Sequence, residues 1–324
     1  MTMSAPVRCD LPPDAHGVRR VEFRALGTAC SLQFRHHDDR VALTFAADAL
    51  GWLGAFEAKF SRFRESSLVS RVNAAAGRDW VETDPEMERM LDLAEGLHNL
   101  TDGILDASML PLLRVWDWKA VHTALPAEED IKTALALTGW RKVQRRKNAV
   151  FLPHAGMGLD FGGFGKEFAV DRLARLAAER GIKDALIDLG RDIYALGGNG
   201  VHPFWHVGVE DVFHPGTCRS GLGLSNRAVS ASGDHARCFV HHGHRYGHIL
   251  DPRNGWPVAN GVRGVNVVAQ SCLEAGVYST AICILGAHDG LRFAARARHV
   301  ETLIQSDTGT LSSSGFARWE VKPA

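Results

Sequence analysis

The sequence has no excess of charge of either sign and no long hydrophobic run. Lysine and arginine together number 37, as do aspartate and glutamate, so the formal net charge is zero. Proteins that bind nucleic acid usually carry a basic surplus to neutralise phosphates, so we expect no nucleic-acid partner. Nowhere do eighteen apolar residues follow one another, which argues against a membrane span. The hydrophobic content of 45% over 324 residues is nevertheless ample for a folded core.

Paired cysteines and the features of a secretion signal are also missing. The six cysteines are scattered, with no Cys-x-x-Cys pair: Cys9, Cys30, Cys218, Cys238, Cys272 and Cys283. This pattern favours reduced thiols over a disulfide framework. The first 17 residues contain prolines and charged residues instead of an apolar stretch, so no signal peptide is predicted. From these absences we expect a cytoplasmic protein.

The spacing of apolar residues predicts an α+β fold in which helices and strands follow one another irregularly. Residues 1–20 are predicted to be a loose lead-in, and residues 21–324 to be the folded domain. Strands are predicted on both sides of a turn at Gly27, and then at 185–189, 194–196, 205–209, 228–230, 238–242 and 265–269. Helices are predicted at 44–60, from Asp84-Pro85 onward, at 166–180 and at 274–285.

Three short motifs contain residues suited to chemistry, although each by itself also fits a structural role. A glycine-rich turn at 159–165, followed by Lys166, would expose backbone N–H groups to an anion, or it is simply a tight strand-to-helix turn. The sequence Ser232-Gly233-Asp234 has the composition of an ordinary turn. Thr280 lies in an apolar helix, where its hydroxyl would bond back to its own backbone.

Several histidines lie in the stretch before a DPRNG turn. With His235 just upstream they allow a zinc site, but strand alternation points His241 and His242 to opposite faces, which favours a solvated hairpin. His248 differs, because Asp251 follows it and places a carboxylate at the same loop mouth. Histidine is the side chain best suited to acid–base work near neutral pH, so this pair is the candidate for proton transfer.

The order and spacing of these motifs resemble the ApbE family over about residues 21–290. Eight segments carry the resemblance: LGT at 26–28, FSRFRESSLVSRVN at 60–73, TDGILDASMLPLLRVW at 101–116, GLDFGGFGKEFAVDRL at 158–173, DALIDLGRDIYALG at 184–197, VSASGDHARCF at 229–239, HILDPRNGWPV at 248–258 and STAICILG at 279–286. The resemblance implies a two-lobed α+β fold, with mixed and antiparallel sheets and an FAD cleft between the lobes. It further implies an FAD:protein FMN transferase, which releases AMP and attaches FMN through a phosphoester to a Thr or Ser of a target flavoprotein.

A set of site residues follows from the resemblance. FAD would be held by residues from six of the segments: Gly27, Thr28, Phe63, Asp106, Asp160, Gly162, Gly163, Lys166, Ser232, Gly233, Asp234 and His248. His248 would lie beside the phosphates with Asp251 nearby, and these two are the implied catalytic residues. Mg²⁺ would bridge the pyrophosphate, with the hydroxyl of Thr280 and the backbone carbonyl of Gly165 as ligands.

The sequence departs from the family pattern at the expected metal. The family has an aspartate four residues before the threonine, and this chain has Gly276 there. Because Mg²⁺ prefers carboxylate oxygens, the glycine predicts weaker binding. Glu274 is displaced by about 240° around the helix from Thr280 and replaces the aspartate poorly, whereas Asp251 is an alternative ligand. If Gly276 disables the metal site, Gly276→Asp is expected to raise Mg²⁺-dependent turnover.

Further departures surround the expected flavin and phosphates. Phe63 and His235 stand where the family commonly has tyrosine, and Arg191 and Glu167 stand where it has glycine. They leave two hypotheses open besides FMN transfer. One is an ApbE-like enzyme with changed activity, such as FAD hydrolysis or modification of another acceptor. The other is a non-catalytic protein that binds FAD and leaves it intact.

Overall fold

The computed structural model describes residues 11–117, 124–234 and 238–321, and it has the predicted α+β class. The helices of these residues are α1 (Asp39–Phe60), α2 (Leu68–Ala74), α3 (Pro85–Leu100), α4 (Leu110–Val115), α5 (Glu128–Ala136), α6 (Gly165–Glu179), α7 (Cys272–Leu285) and α8 (Ala287–Ala294). The strands are β1 (Val18–Ala25), β2 (Thr28–Arg35), β3 (Val81–Glu82), β4 (Gln144–Arg146), β5 (Ala149–Phe151), β6 (Asp184–Leu189), β7 (Ile193–Leu196), β8 (Trp205–Glu210), β9 (Cys218–Leu224), β10 (Arg227–Gly233), β11 (Cys238–His241), β12 (His244–Gly247), β13 (Val262–Ala269), β14 (Glu301–Ser306), β15 (Gly309–Ser312) and β16 (Glu320–Val321).

Eight strands form the main sheet in the order β1-β2-β6-β7-β10-β13-β14-β15, and each pairing between them is antiparallel. Neighbouring residues of a strand point to opposite faces, and both faces of this sheet are covered. On one face Val265 and Ile304 share a core with α1, α6 and α7. On the other face Val268 and Leu303 pack against the smaller sheet of β8, β9 and β16. The sheet is therefore buried between a helical layer and a second sheet.

The turn predicted at Gly27 joins β1 to β2. Ala25 pairs with Thr28, so Leu26 and Gly27 alone make the turn, with φ angles of 51° and 76°. Two residues with positive φ match the right-handed twist of a hairpin. The strand begins at Val18, and the buried Leu11 accepts a hydrogen bond from Arg19 through its carbonyl. The predicted loose lead-in is therefore wrong for residues 18–20, which belong to the sheet.

Helix α1 begins five residues before its predicted start at Thr44, because the carboxylate of Asp38 caps it. That carboxylate accepts from the backbone N–H groups of Arg40 at 2.8 Å and Val41 at 3.2 Å. By length and composition α1 could cross a membrane, a test that a core helix also passes. It contributes Phe45 and Leu53, both fully buried, to the main core.

A second, smaller lobe forms around the buried Trp116, at the end of α4. Its indole N–H donates to the carbonyl of Gly255 at 2.9 Å, and its ring contacts Trp256 and Tyr246 with centroid distances of 5.4 and 6.2 Å. Ile131 from α5 completes this separate cluster. Trp116 and Ile131, which are far from the DPRNG turn in sequence, thereby help to fix this turn.

Helices α6 and α7 lie on the sheet side by side and present the motif residues. Both were predicted, with ends within two residues of those observed. Asp171 of α6 holds the start of α7, because its carboxylate accepts from the backbone N–H groups of Cys272 at 2.7 Å and Leu273 at 2.9 Å. An acceptor at a helix N-terminus satisfies otherwise unpaired donors, so the two helices are tied together at this end.

Candidate functional site

Asp160 joins the glycine-rich turn before α6 to the loop between α1 and α2. One carboxylate oxygen accepts from the backbone N–H of Gly162 at 2.6 Å, and the other lies 2.5 Å from Nε of Arg62. The guanidinium of Arg62 in turn stacks over the ring of Phe63 at 4.1 Å. The structure thus brings together two of the predicted flavin-binding segments, and Asp160 shapes the turn.

The backbone of this turn is open to solvent. Gly162 and Gly163 are both exposed, and they precede the first turn of α6. A Cβ atom built on Gly163 would meet no other atom within 4 Å, so folding alone does not require glycine there. An exposed backbone before a helix N-terminus suits the approach of an anion, as predicted for these glycines.

Lys166 is held by a buried carboxylate that the sequence analysis did not single out. Its ammonium pairs with Asp192, whose other oxygen accepts a hydrogen bond from the hydroxyl of Ser230. The carboxylates of Glu167 and Asp192 raise the pKa of Lys166 against the effect of its burial. Ser230 and Ser232 point to the same face of β10 because they are two residues apart. Because side chains two residues apart on a strand share a face, the predicted Ser232 could also have indicated Ser230.

The hydroxyl of Ser232 meets α7. It lies 2.7 Å from the hydroxyl of Ser279 and 3.3 Å from that of Thr280. The bond back to the helix backbone is made by Ser279, which donates to the carbonyl of Gly276 at 3.0 Å. Thr280 is partly exposed, so its hydroxyl faces the same place as that of Ser232. The structure therefore brings these two predicted residues together.

Gly276, the position of the missing aspartate, lies against Glu167. A Cβ atom at Gly276 would be 2.5 Å from Cγ of Glu167 and 2.9 Å from its Oε1. There is no room for an aspartate side chain unless Glu167 moves, so Gly276→Asp is no longer expected to raise turnover by itself. Burial raises the pKa of Glu167, the charge of Asp192 raises it further, and Lys166 lowers it.

Asp234 follows β10, and Gly233 pairs with Gly264 within the sheet. One oxygen of Asp234 lies 2.8 Å from the guanidinium of Arg263, and the other is buried without a hydrogen-bond partner in the described residues. A Cβ atom on Gly247 would lie 2.8 Å from Cβ of Asp234, so the end of β12 touches this residue. His248 comes next in the chain and is half-buried. The predicted residues of these two segments are therefore neighbours.

The carboxylate of Asp251 is occupied by its own turn. Its oxygens accept from the backbone N–H of Arg253 at 2.9 Å and from the guanidinium at 2.7 and 2.8 Å. Asp251 is 8% exposed, and the arrangement closes the DPRNG turn. A role for Asp251 in catalysis or metal binding stays a prediction, and the contacts observed are structural.

The turn containing Gly27 rests on another predicted segment. A Cβ atom on Gly190 would meet the Thr28 hydroxyl oxygen at 2.5 Å, so the two turns touch. Arg191 follows with a φ angle of 76°, which explains why the family pattern has glycine there, and its side chain pairs with Glu210. Gly27 and Thr28 are thereby placed beside the loop that bears Asp192.

The carboxylate of Asp106 makes hydrogen bonds within the protein. It accepts from the backbone and hydroxyl of Ser108 at 2.7 and 2.5 Å and from the backbone of Trp140 at 2.8 Å. The side chain is 4% exposed, and His98 lies 3.5 Å away. The structure shows Asp106 joining two loops, and its predicted contact with FAD stays a prediction.

The histidine-rich stretch forms the hairpin of β11 and β12, in which His241 pairs with His244. His242 and Gly243 make its two-residue turn with positive φ angles. Across residues 11–117, 124–234 and 238–321, no three His, Cys, Asp or Glu side chains gather into a group that could hold a metal. His235, which replaces a family tyrosine, lies outside the described residues.

Oxygen donors suited to Mg²⁺ come from two helices. Thr280 of α7 offers a hydroxyl and Gly165, at the start of α6, a backbone carbonyl. Glu167 adds a carboxylate whose Oε2 is buried without a hydrogen-bond partner within the described part of the chain. Hydroxyl, carbonyl and carboxylate oxygens are ligands that a hard cation accepts, so these residues fit the metal that the resemblance implies.

Comparisons with known proteins identify the family of this chain. The sequence model of the ApbE family matches residues 26–304. A Klebsiella pneumoniae FAD:protein FMN transferase is 26% identical over 301 residues, 92% of this chain and of that protein. A Treponema pallidum FAD:protein FMN transferase is 30% identical over 247 residues, covering 71% of this chain and 68% of that protein. The crystal structure of the ApbE protein from Thermotoga maritima, 29% identical, matches with a TM-score of 0.84 over 94% of this chain and 100% of that one. The chain therefore belongs to the ApbE family.

Proposed function

We propose that this protein is an FAD:protein FMN transferase. The observation that carries the proposal is the open turn of Gly162 and Gly163 at the start of α6, in a chain whose relatives bear that activity in their names. The charge of Lys166 is held behind this turn by Asp192. An exposed backbone just before a helix N-terminus suits the pyrophosphate of a dinucleotide.

The reaction exchanges one phosphate bond for another. The hydroxyl oxygen of an acceptor Thr or Ser attacks the phosphorus on the FMN side of the pyrophosphate, and the bond from that phosphorus to the AMP oxygen breaks. AMP leaves, FMN stays on the acceptor as a phosphoester, and the hydroxyl proton passes to a base. Such a transfer requires charge neutralisation and close placement of the two reactants.

The residues of the site supply these requirements in part. The backbone N–H group of Gly163 would bind a phosphate oxygen, since that of Gly162 already donates to Asp160, and Ser232 would orient the nucleotide from β10. His248 is proposed as the group that accepts the proton, since it directly follows Gly247, the last residue of β12, which contacts Asp234. Mg²⁺, when bound at Thr280 and the carbonyl of Gly165, would neutralise charge on the pyrophosphate.

The acceptor would be a separate flavoprotein that presents a Thr or Ser. We also propose a cytoplasmic location, which is supported by the free thiols of the five described cysteines.

The experiment is to incubate pure protein with FAD, with and without Mg²⁺, and with and without a Thr-bearing acceptor peptide. We expect AMP release that depends on the acceptor, together with a peptide that has gained the mass of esterified FMN. AMP without a modified peptide would instead indicate FAD hydrolysis or a different acceptor. Intact FAD in every mixture, in a protein that binds it, would refute the transferase and indicate a flavin-binding protein.

A further inference from the structure

Two departures from the family pattern occupy one place in this molecule. Glu167 lies where the family has glycine, on α6, and Gly276 lies where it has aspartate, on α7. The side chain of Glu167 fills the space in front of Gly276, because a Cβ atom there would be 2.5, 2.9 and 3.0 Å from its Cγ, Oε1 and Cδ. The two positions are far apart in sequence, and only one of them can carry a carboxylate here without a shift of the other.

The carboxylate of Glu167 has an unused oxygen. Glu167 is 6% exposed, and its Oε2 is buried with no hydrogen-bond partner among the described residues. The ammonium of Lys166 is 3.9 Å from Oε1, but that ammonium is already paired with Asp192. A buried carboxylate oxygen without a partner is unfavourable unless a ligand satisfies it.

We propose that Glu167 supplies the carboxylate ligand of the divalent cation, in place of the aspartate that other members of the family have at position 276. This inference rests on the proposed function, because the cation is the one that would bridge the FAD pyrophosphate. Gly276 lies one helical turn before Thr280, on the same face of α7. A carboxylate in front of Gly276 therefore reaches the side of the helix from which Thr280 offers its hydroxyl.

The other two acidic candidates have different partners. Glu274 turns away to His299, with its Oε1 2.6 Å from the imidazole Nε2. Asp251 is held by the guanidinium of Arg253 at 2.7 and 2.8 Å. A carboxylate already satisfied by an arginine is a poor ligand for a cation, so Glu167 fits better than either of these two.

Binding of Mn²⁺, followed by the loss of its free-ion electron paramagnetic resonance signal, tests this inference without measuring turnover. Mn²⁺ takes the same oxygen ligands as Mg²⁺. The signal is measured with pure protein alone and with FAD present. We expect Glu167→Gln to weaken Mn²⁺ affinity at least about tenfold, since loss of even an outer-shell partner costs 10–100-fold.

A swap of the two positions makes the test specific. Glu167→Gly should lose the metal, and the double variant Glu167→Gly with Gly276→Asp should regain it by returning the carboxylate to α7. Glu274→Gln is the matched control on α7, the helix of Gly276, and its Mn²⁺ affinity should stay within about twofold of the unaltered protein. Circular dichroism establishes that each variant is folded.

Three outcomes would overturn the inference. They are unchanged Mn²⁺ affinity in Glu167→Gln, no Mn²⁺ binding by the unaltered protein with FAD, and a folded double variant that binds no better than Glu167→Gly. Its failure is separable from that of the proposed function. Glu167-dependent Mn²⁺ binding in a protein that transfers no FMN would refute only the transferase, whereas FMN transfer with unchanged Mn²⁺ affinity in Glu167→Gln would refute only the inference.

Discussion

The contact between Gly276 and Glu167 predicts an energetic coupling that can be measured without any ligand. In the unaltered protein, Gly276→Ala would place a methyl carbon 2.5 Å from Cγ of Glu167, well inside the ~3.5–4.0 Å of an ordinary carbon–carbon contact. Overpacking of this kind costs about 1–3 kcal/mol. Alanine in place of glycine inside a helix stabilises the folded protein by roughly 0.5–1 kcal/mol. We therefore expect a net destabilisation of about 0–2.5 kcal/mol.

Gly276→Ala should instead increase the stability once the Glu167 side chain is removed. In a Glu167→Ala background the atoms that crowd the new methyl group are absent, so Gly276→Ala should stabilise the protein by roughly 0.5–1 kcal/mol through helix propensity alone. The coupling energy of the double-mutant cycle is then about 1–3 kcal/mol.

Urea denaturation of the four proteins measures this coupling, provided that their m values agree. The cycle cancels the loss of the Glu167 carboxylate itself, because that change is common to both arms. A coupling energy below about 0.5 kcal/mol, the usual scatter for independent sites, would show that the two positions do not touch. It would also remove the steric argument that only one of these two positions can carry a carboxylate.

Three further predictions test other parts of the structure. Gly163→Ala should leave the melting temperature unchanged, since its Cβ atom meets nothing within 4 Å. Titration calorimetry should show that this variant binds FAD more weakly than the control Gly51→Ala does. Equal FAD affinity of the two variants would refute a role for the turn of Gly162 and Gly163. Burial raises the pKa of Cys30 to about 11, so at pH 8 its thiol should resist iodoacetamide in the folded protein while the exposed Cys218 reacts, as peptide mass spectrometry would reveal. Trp116→Ala should lower the free energy of unfolding by about 3–5 kcal/mol in urea, because it empties the centre of the second lobe; a loss below about 1 kcal/mol would contradict that placement.

Local sequence signals predicted the elements that bear the site. Asp84-Pro85 predicted the start of α3, and the structure has the cap there with Pro85 in the first turn. The 3.6-residue period located α6 and α7 to within two residues. Such features depend on residues close in the chain, so one sequence suffices to detect them. Helix α4 escaped detection because its stability depends on packing of Trp116 against distant residues.

The order of motifs by itself predicted the family, which the sequence model of the ApbE family confirms, and a list of site residues, whose contacts with FAD stay predictions. It did not determine what each side chain contacts. Asp251 and Asp106, both predicted at the site, have carboxylates that bond within the protein. The donors to Asp251 come from Arg253 in its own turn, whereas Asp106 accepts from the backbone of Trp140, a distant donor that no spacing rule reveals.

The proposal that Glu167 is the metal ligand depends on tertiary structure alone. In the sequence, Gly276 is the loss of a carboxylate and Glu167 is an added negative charge, and nothing connects these two departures. Packing of α6 against α7 places the second in the space left by the first. The reason is physical: a side chain reaches only several ångströms, and which residues lie within that reach across two helices is set by how the helices pack.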